Sequence, residues 1–410
     1  MRILMVSEDV PYAAMGGLAK HALNLARALI RAGHVVDFLG GNQQPIAVAG
    51  TEGEFGGRFT GALSGHLAGW KERRLGFFIP YKRSWLAQRF ARIIAEHAVG
   101  YDAVHYHGHV PNLARYLPAG LNFIQTRHDQ GSDCLQHTRF RNGAVCTSSD
   151  PQDCAGCVAS KPNALQRTIS AIAVRRFRRE VGESFQCHQT IFVSDLLRRN
   201  FCRTMGEQAW GTVIHNFIDP ELLGQAASQP RRLPDAGPVE VVVAGKLYSP
   251  KGVDQLIELF SHCPPAGFRL LVVGDGPQLD DLRSRFASPW VQFLGWCDPL
   301  QTLQLTAGAD AVVVPSVCEE AFGSTTLEGL LLGKTTFALA RGGTPELACY
   351  AAYPEQLRLH RDLLELVDDL ADFTLPAHRL VPRVDGTGSS SWAVERLLPI
   401  YQRQPAIHKQ

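Results

Sequence analysis

Short apolar runs bounded by glycine, proline and small polar residues alternate along this chain with segments whose apolar side chains recur every three or four residues. The first run, residues 2–7, reads as a buried strand. Residues 16–32 follow, with Leu18, Ala22, Leu25 and Leu29 on one helical stripe, then a stop at Gly33 and a second strand over residues 34–39. This β-α-β order predicts the opening of a doubly wound parallel sheet. Further strands are predicted at residues 75–80, 102–107, 121–127, 190–194 and 212–215, with a helix over 164–179. Residues 40–70 are rich in glycine and small polar residues with weak periodicity, which predicts a long loop that is either functional or partly disordered. Residues 225–238 carry Pro, Ala, Ser and Arg without an apolar period and read as a linker. A second strand series then begins, at Val239–Ala244 and residues 268–274, 291–295, 311–316 and 335–340, and the amphipathic stretch 390–403 predicts a last helix.

Composition narrows this picture. At 410 residues the chain exceeds one comfortable core. The periodicity divides it into a first domain at 1–224, a linker at 225–238, a second domain at 239–385 and a terminal helix at 386–410. A hydrophobic content of 45% with 20% charged residues is that of an ordinary globular protein, and a formal charge of +2 argues against nucleic acid as a partner. The start MRILMVSEDVP is interrupted by Glu8 and Asp9 and does not resemble a signal peptide; no apolar run approaches the ~18–20 residues of a membrane span. A cytoplasmic location is expected. Within 164–179, Arg167, Arg175, Arg176, Arg178 and Arg179 interleave with Ile169, Ile172, Val174 and Phe177. That pattern reads either as a solvated basic face over a core stripe or as a peripheral contact with the inner face of a membrane or an acidic acceptor.

Candidate chemistry concentrates in residues 315–346, PSVCEEAFGSTTLEGLLLGKTTFALARGGTPE. Two carboxylates, Glu320 and Glu328, stand eight positions apart, one in the loop after a strand and one in the opening of a helix. Thr325 reads as the helix N-cap, Leu327, Leu330 and Leu331 as its buried turns and Gly333 as its stop; Gly342-Gly343 marks a turn before a helix start at Thr344-Pro345. Ligands of open parallel sheets bind at the carboxyl ends of the strands, and carboxylates there accept hydrogen bonds from sugar hydroxyls. The plainer alternative is that Thr325 and Glu328 form a capping box and Glu320 is a solvated acid. An ATP-binding P-loop is excluded at Gly329–Lys334: three residues instead of four separate the glycines, and Thr-Thr-Phe-Ala-Leu after Lys334 is strand composition.

Other groups fall at strand ends. Gly16-Gly17 precede the first helix, where exposed amides could receive a phosphate, and Lys20 and His21 lie on its first turn. His128 follows the strand at 121–127, and His105, His107 and His109 alternate along the strand before it at metal-like spacing that packing explains equally well. Lys246 and Lys251 flank the exit of Val239–Ala244, where two cations can offset a diphosphate. Cys134, Cys146, Cys154 and Cys157 fall within 24 residues, the last two as a Cys-x-x-Cys pair. They are compatible with a structural zinc site, with reduced thiols or with disulfides, and four thiolates would leave no open position for catalysis.

Taken in order, these residues resemble the family-4, retaining GT-B glycosyltransferases: Gly16-Gly17, the His128-Asp129 pair, Gly245-Lys246-Leu247, Lys251-Gly252, the Glu320-x7-Glu328 pair and Gly342-Gly343. The resemblance implies an α/β GT-B fold of two Rossmann-like doubly wound domains facing across a cleft, with the cysteine-bearing segment, about 130–160, as an insertion. It implies transfer of a sugar, with retention, from a nucleotide-diphosphate donor (UDP most readily) to a hydroxyl on a glycan, glycolipid or small metabolite. By resemblance Glu320 and His128 contact the transferred sugar and Glu328 the ribose. Lys246, Lys251 and Gly16 lie against the diphosphate, and Gly17, Gly245, Phe322, Gly323, Gly342 and Gly343 complete the donor site. Backbone near Trp296 meets the base. Without an Asp-x-Asp triplet, no catalytic metal is expected. Lys246 stands where the family usually has Arg, and Phe217 where it usually has Gly. A GT-B sugar-nucleotide epimerase and a non-catalytic nucleotide-sugar-binding subunit share many of these features and are the alternatives.

Overall fold

The computed structural model describes residues 1–8, 17–41, 56–63, 79–158, 163–206, 211–228, 237–262, 267–375, 386 and 388–403. They form two compact units. The first holds Met1–Arg141, Cys146–His215 and Ala393–Gln410; the second holds Asn142–Val145 and Asn216–Trp392.

In the first unit β1 (Arg2–Val6), β2 (Val35–Gly41), β3 (Phe59–Leu63), β4 (Ala103–His107) and β5 (Phe123–Arg127) join β8 (Gln189–Phe192) and β9 (Thr212–Val213) in one parallel sheet of order β3-β2-β1-β4-β5-β8-β9. Between β5 and β8 a small hairpin, β6 (Phe140–Arg141) and β7 (Ala144–Val145), stands apart. The central strands β4 and β5 are buried at every position, as strands covered on both faces are, although they carry His105, His107, Gln125, Thr126 and Arg127. Leu86, Phe90 and Ile94 of helix Ile79–His97 cover one face, packed with Leu4, Val6, Val104 and Tyr106. The order reverses beside β1, which pairs β2 on one side and β4 on the other, and the register Val6↔Tyr106 sets the exits of β1 and β4 side by side. That is a topological switch point.

The second unit repeats the plan. β10 (Val239–Ala244), β11 (Phe268–Val273), β12 (Val291–Gly295), β13 (Ala311–Val314), β14 (Thr335–Leu339) and β15 (Leu357–His360) are all parallel in the order β12-β11-β10-β13-β14-β15, with the switch point between β10 and β13.

Several elements differ from the sequence reading. Ile79 and Pro80 begin helix Ile79–His97 instead of ending a strand, and residues 75–78 lie outside the described residues. Residues 40–70 contain β3, whose weak alternation befits an edge strand; much of that loop reading, residues 42–55 and 64–70, also lies outside them. The basic helix runs on from Ala164 to Cys187, because Val181 and Phe185 continue its buried stripe. The units divide at His215/Asn216, ahead of 225–238. Pro at the first position and an Asp219 cap on the Glu221 amide start a helix, Pro220–Ala227, that packs on helix Pro299–Gly308 of the second unit.

Candidate active site

In the second unit the exits of β10, β13 and β14 are bound together by main-chain contacts. The amides of Val317 and Cys318 both donate to the carbonyl of Pro250, each at 3.1 Å. Gly252 permits this approach: it has φ +65°, and a Cβ there would lie 2.3 Å from the Pro315 carbonyl oxygen. On the other side Gly342, at φ +66°, would place a Cβ 2.3 Å from the Glu320 amide nitrogen, and the Gly343 amide donates to the Glu320 carbonyl at 2.8 Å. Arg341 Nη1 donates to the Val317 carbonyl at 2.8 Å. The Gly342-Gly343 turn is therefore built to hold the backbone of the Glu320 loop. Its Gly343 amide is occupied, so its part in a site is to position Glu320.

Within this frame Glu320 accepts hydrogen bonds from Lys251 Nζ and Ser316 Oγ, both to Oε1. Burial raises the carboxyl pKa, but the Lys251 ammonium and both hydrogen bonds outweigh it and hold Glu320 below the ordinary range. For Lys251 burial lowers the pKa, and Glu320 outweighs it and raises it. The pair is charged on both sides. An ammonium carries three N–H donors, and the pair with Glu320 takes one of them.

Glu328 is buried on helix Ser324–Leu331, and Thr325 Oγ1 of the same helix donates to the Ala244 carbonyl at 3.4 Å, which ties the helix to the end of β10. The N-cap is Gly323, in a left-handed conformation that makes no side-chain cap; Thr325 lies inside the helix, so the capping box with Glu328 does not form. A Cβ on Gly323 would lie 3.3 Å from Leu347. Phe322 is buried, leaving backbone as what it can present. Gly245 and Lys246 are exposed at the end of β10, with Lys246 Nζ 5.8 Å from the Tyr248 ring centroid; Trp296 is exposed after β12. Lys334 Nζ donates to the Ala309 carbonyl, and β14 follows it, as the exclusion of a P-loop requires. Phe217 is buried.

In the first unit the exits of β4 and β5 carry histidines. His107 Nδ1 lies 3.0 Å from His128 Nε2, and the His128 ring stands edge-on to His21, centroids 4.7 Å apart. Burial lowers all three: His21 to about 4, His107 and His128 well below the ordinary imidazole value, the latter two helped by neighbouring histidines. They are neutral near pH 7, so His128 acts there through hydrogen bonding and shape. His105, its ring centroid 4.1 Å from that of His107, is hydrogen-bonded between Tyr401 Oη and Thr126 Oγ1, both at 2.7 Å. His109 Nδ1 and His137 Nδ1 meet Asp129 Oδ2 at 2.8 and 3.0 Å, while Asp129 Oδ1 accepts from the Gly131 amide. The alternating histidines thus fall into different hydrogen-bonded sets; His21, His107 and His128 form one group and His109, Asp129 and His137 another, each with its ligand atoms within 4.8 Å of one another, a spacing compatible with a metal ion. Gly17 opens helix Gly17–Arg31, and a Cβ added there would meet none of the described residues within 4 Å; Gly16 lies outside them.

Sequence reasoning gave no role to Ser316 and His137, and named Asp129 only as the partner of His128 in a motif. Ser316 stood in the Pro-Ser pair before the loop, but its contact with Glu320 depends on how the loop folds back. The basic helix proves internally neutralised in part: Arg176 pairs with Glu180, Arg179 with Glu183, and Arg178 donates to the Ser149 carbonyl. Among the described residues no helix is long and apolar enough to cross a membrane.

Two doubly wound parallel units, the second with a cation-carboxylate pair at its switch point, define the GT-B class of nucleotide-sugar-dependent transferases. The chain belongs to Glycosyltransferase Family 4: that family's model matches residues 15–222, and the model for glycosyl transferases group 1 matches 238–360. It is an enzyme that transfers sugars from nucleotide-sugar donors. It is 26% identical over 362 residues to a glycogen synthase of Mycobacterium tuberculosis, covering 84% of this chain and 80% of that one. A 2-deoxystreptamine glucosyltransferase of Streptomyces kanamyceticus is 27% identical over 179 residues, 39% of this chain and 46% of that one. In fold it is similar to Anabaena HepE, solved with UDP and glucose (TM-score 0.62, 18% identity, 98% and 97% of the chains covered). It is also similar to sucrose-phosphate synthase of Thermosynechococcus elongatus (TM-score 0.61, 20% identity, 98% and 96% covered).

Proposed function

We propose that this enzyme transfers a hexose from a UDP-linked donor to an acceptor hydroxyl with retention at the anomeric carbon, without a catalytic metal. The observation that carries the reading is the ionised Lys251–Glu320 pair at the β10/β13 switch point, with Ser316 on the same carboxylate. Glu320 orients the sugar hydroxyls, and His128, neutral near pH 7, is the hydrogen-bonding group that the first unit offers. The remaining donors of Lys251, with Lys246 and the amino end of helix Ser324–Leu331, hold the diphosphate and stabilise its charge as the glycosidic bond lengthens. Glu328 accepts from the ribose, and the turn at Gly295-Trp296 offers backbone to the base. The departing phosphate oxygen takes the acceptor proton on the face it leaves, so the configuration is kept.

A panel of nucleotide sugars and hydroxyl acceptors tests this. With UDP-sugar donors the product should carry the donor's anomeric configuration by NMR. Glu320→Gln and Lys251→Ala should each lower kcat/KM by roughly 10²–10³ with unchanged circular dichroism, the scale of losing one preorganised electrostatic contact. Near-native rates in both variants would remove the assignment, inversion would remove the mechanism, and turnover of donor alone to a second sugar nucleotide would mark an epimerase.

A further inference from the structure

Between β5 and helix Ala164–Cys187 the first unit makes an excursion that adds nothing to its seven-stranded sheet. Cys134 follows the short turn Gln130–Ser132, Cys146 leaves the hairpin, and Cys154 and Cys157 sit one turn apart on helix Pro151–Val158. All four line one cavity of about 30 Å³, together with Asp133, Arg139 and Arg141. That is room for an ion or for about two water molecules. The main chain fixes the approach: the Cys134 amide donates to the Gln130 carbonyl at 2.8 Å, the Cys146 amide to the Arg139 carbonyl at 2.6 Å, and Gln136 Nε2 to the Cys157 carbonyl at 3.0 Å.

Arginines stand close to the sulfurs. Burial holds the Cys134, Cys154 and Cys157 thiols above the ordinary value, and neighbouring groups offset part of it: backbone amides and Arg139 on Cys134, Arg178 on Cys154 and Arg141 on Cys157. Arg178 Nη2 donates to Cys154 Sγ at 3.2 Å. The sulfurs also sense one another, Cys157 feeling Cys146, Cys134 and Cys154. Arg139 is matched by an ion pair with Asp133, which leaves Arg141 and Arg178 to balance the two excess negative charges of a tetrathiolate around a divalent ion.

We propose that Cys134, Cys146, Cys154 and Cys157 bind one Zn²⁺ as a closed structural site that clamps this excursion. No three of these sulfurs lie within 4.8 Å of one another, and zinc with bonds of about 2.3 Å would draw them in to about 3.8 Å. Of the described non-glycine residues with positive φ, Asn142 (+53°) sits in the Asn142-Gly143 turn of the hairpin, where that conformation is ordinary, while the excursion also holds His137 and Arg139 at φ +63° and +47°. Such backbone costs roughly 1–2 kcal/mol per residue and persists where the surroundings over-determine it, which a four-point clamp does. Through Cys134 and the Gln130 turn the clamp reaches Asp129, whose side chain caps that turn, and so the strand end that bears His128.

The full-length chain, purified under reducing conditions, should carry about one Zn²⁺ per molecule by elemental analysis, released after about four equivalents of an organomercurial. Co²⁺ in its place should show thiolate charge-transfer bands and the intense d–d absorption of tetrahedral coordination. Cys154→Ser/Cys157→Ser should fall below about a tenth of the wild-type zinc content; if that variant does not fold, the mercurial titration of the wild type decides. The site is overturned if the wild type holds no zinc and takes up neither metal, if the cysteines are found as disulfides, or if the folded double variant keeps a full equivalent. These readouts are independent of transferase activity, so failure of the clamp and failure of the proposed reaction are separable.

Discussion

At Glu320 and Lys251 the ionisations reinforce each other. The carboxylate pKa is depressed and the ammonium pKa raised, so the stability the pair contributes is lost only as pH falls below the ordinary carboxylate range or rises above the ordinary lysine range. The buried histidines behave oppositely to a paired histidine. His21 is lowered to about 4 and His105 to about 3 by burial, whereas the unfolded chain binds those protons near 6.5. Stability is therefore full above about pH 6.5 and falls as pH drops toward 4, by up to about 1.4 kcal/mol per pH unit for each such group. Urea unfolding at pH 7 and pH 5 should show a lower midpoint at pH 5, and the imidazole NMR signals of His21 and His128 should not titrate between pH 6 and 8. A midpoint independent of pH, or a His128 titration near 6.5, would contradict the burial that lowers these groups.

At the scale of elements, two glycines do what no other residue could at the strand exits. Gly252→Ala and Gly342→Ala each combine positive φ with a Cβ 2.3 Å from backbone, so each should lose at least about 1–3 kcal/mol of stability and weaken UDP binding measured by calorimetry. Gly267 supplies the control: its φ is +81°, yet a Cβ there meets none of the described residues within 4 Å. Gly267→Ala should cost about 1 kcal/mol and leave UDP affinity unchanged. Equal effects on binding from all three would show that the glycines serve local conformation and not the joining of the loops. Elsewhere the elements were legible from their own patterns. β10 and β12 have the predicted bounds, and helix Gly17–Arg31 comes within a residue of its reading at each end, because a stripe of leucine and alanine and a stop at Gly33 need no partner to be recognised. Edge strand β3 was not legible because it has no uninterrupted apolar run, and the start of helix Ile79–His97 was misread because the apolar run Phe77-Phe78-Ile79 has strand composition.

At the scale of the molecule, the first unit is discontinuous in sequence. The last helix, Ser390–Tyr401, buries Ala393, Val394, Leu397, Ile400 and Tyr401, and the Tyr401 hydroxyl meets the interior His105 at 2.7 Å. Deleting residues 390–410 should remove about 1.5–3 kcal/mol for each large apolar side chain exposed, enough to unfold the first unit at 37 °C. Tyr401→Phe, which removes only the hydroxyl, should cost about 1–3 kcal/mol by leaving His105 Nδ1 unpaired. Differential scanning calorimetry checks both; a deletion with the wild-type melting profile would show the helix to be dispensable.

What the sequence by itself determined was local and periodic: two series of buried strands alternating with helices, the residue types at the strand exits, and the order of motifs that marks the family. These depend on period, caps and turn chemistry, which act over a few neighbouring residues. Only the tertiary structure decided which of the candidates share a carboxylate or a ring contact: Ser316 with Lys251 on Glu320, His21 and His107 against His128, the Gly343 amide on the Glu320 carbonyl. Those contacts span up to about a hundred residues and arise where parallel strands bring their exits together, a register set by the packing of whole sheets and written in no single stretch of the chain.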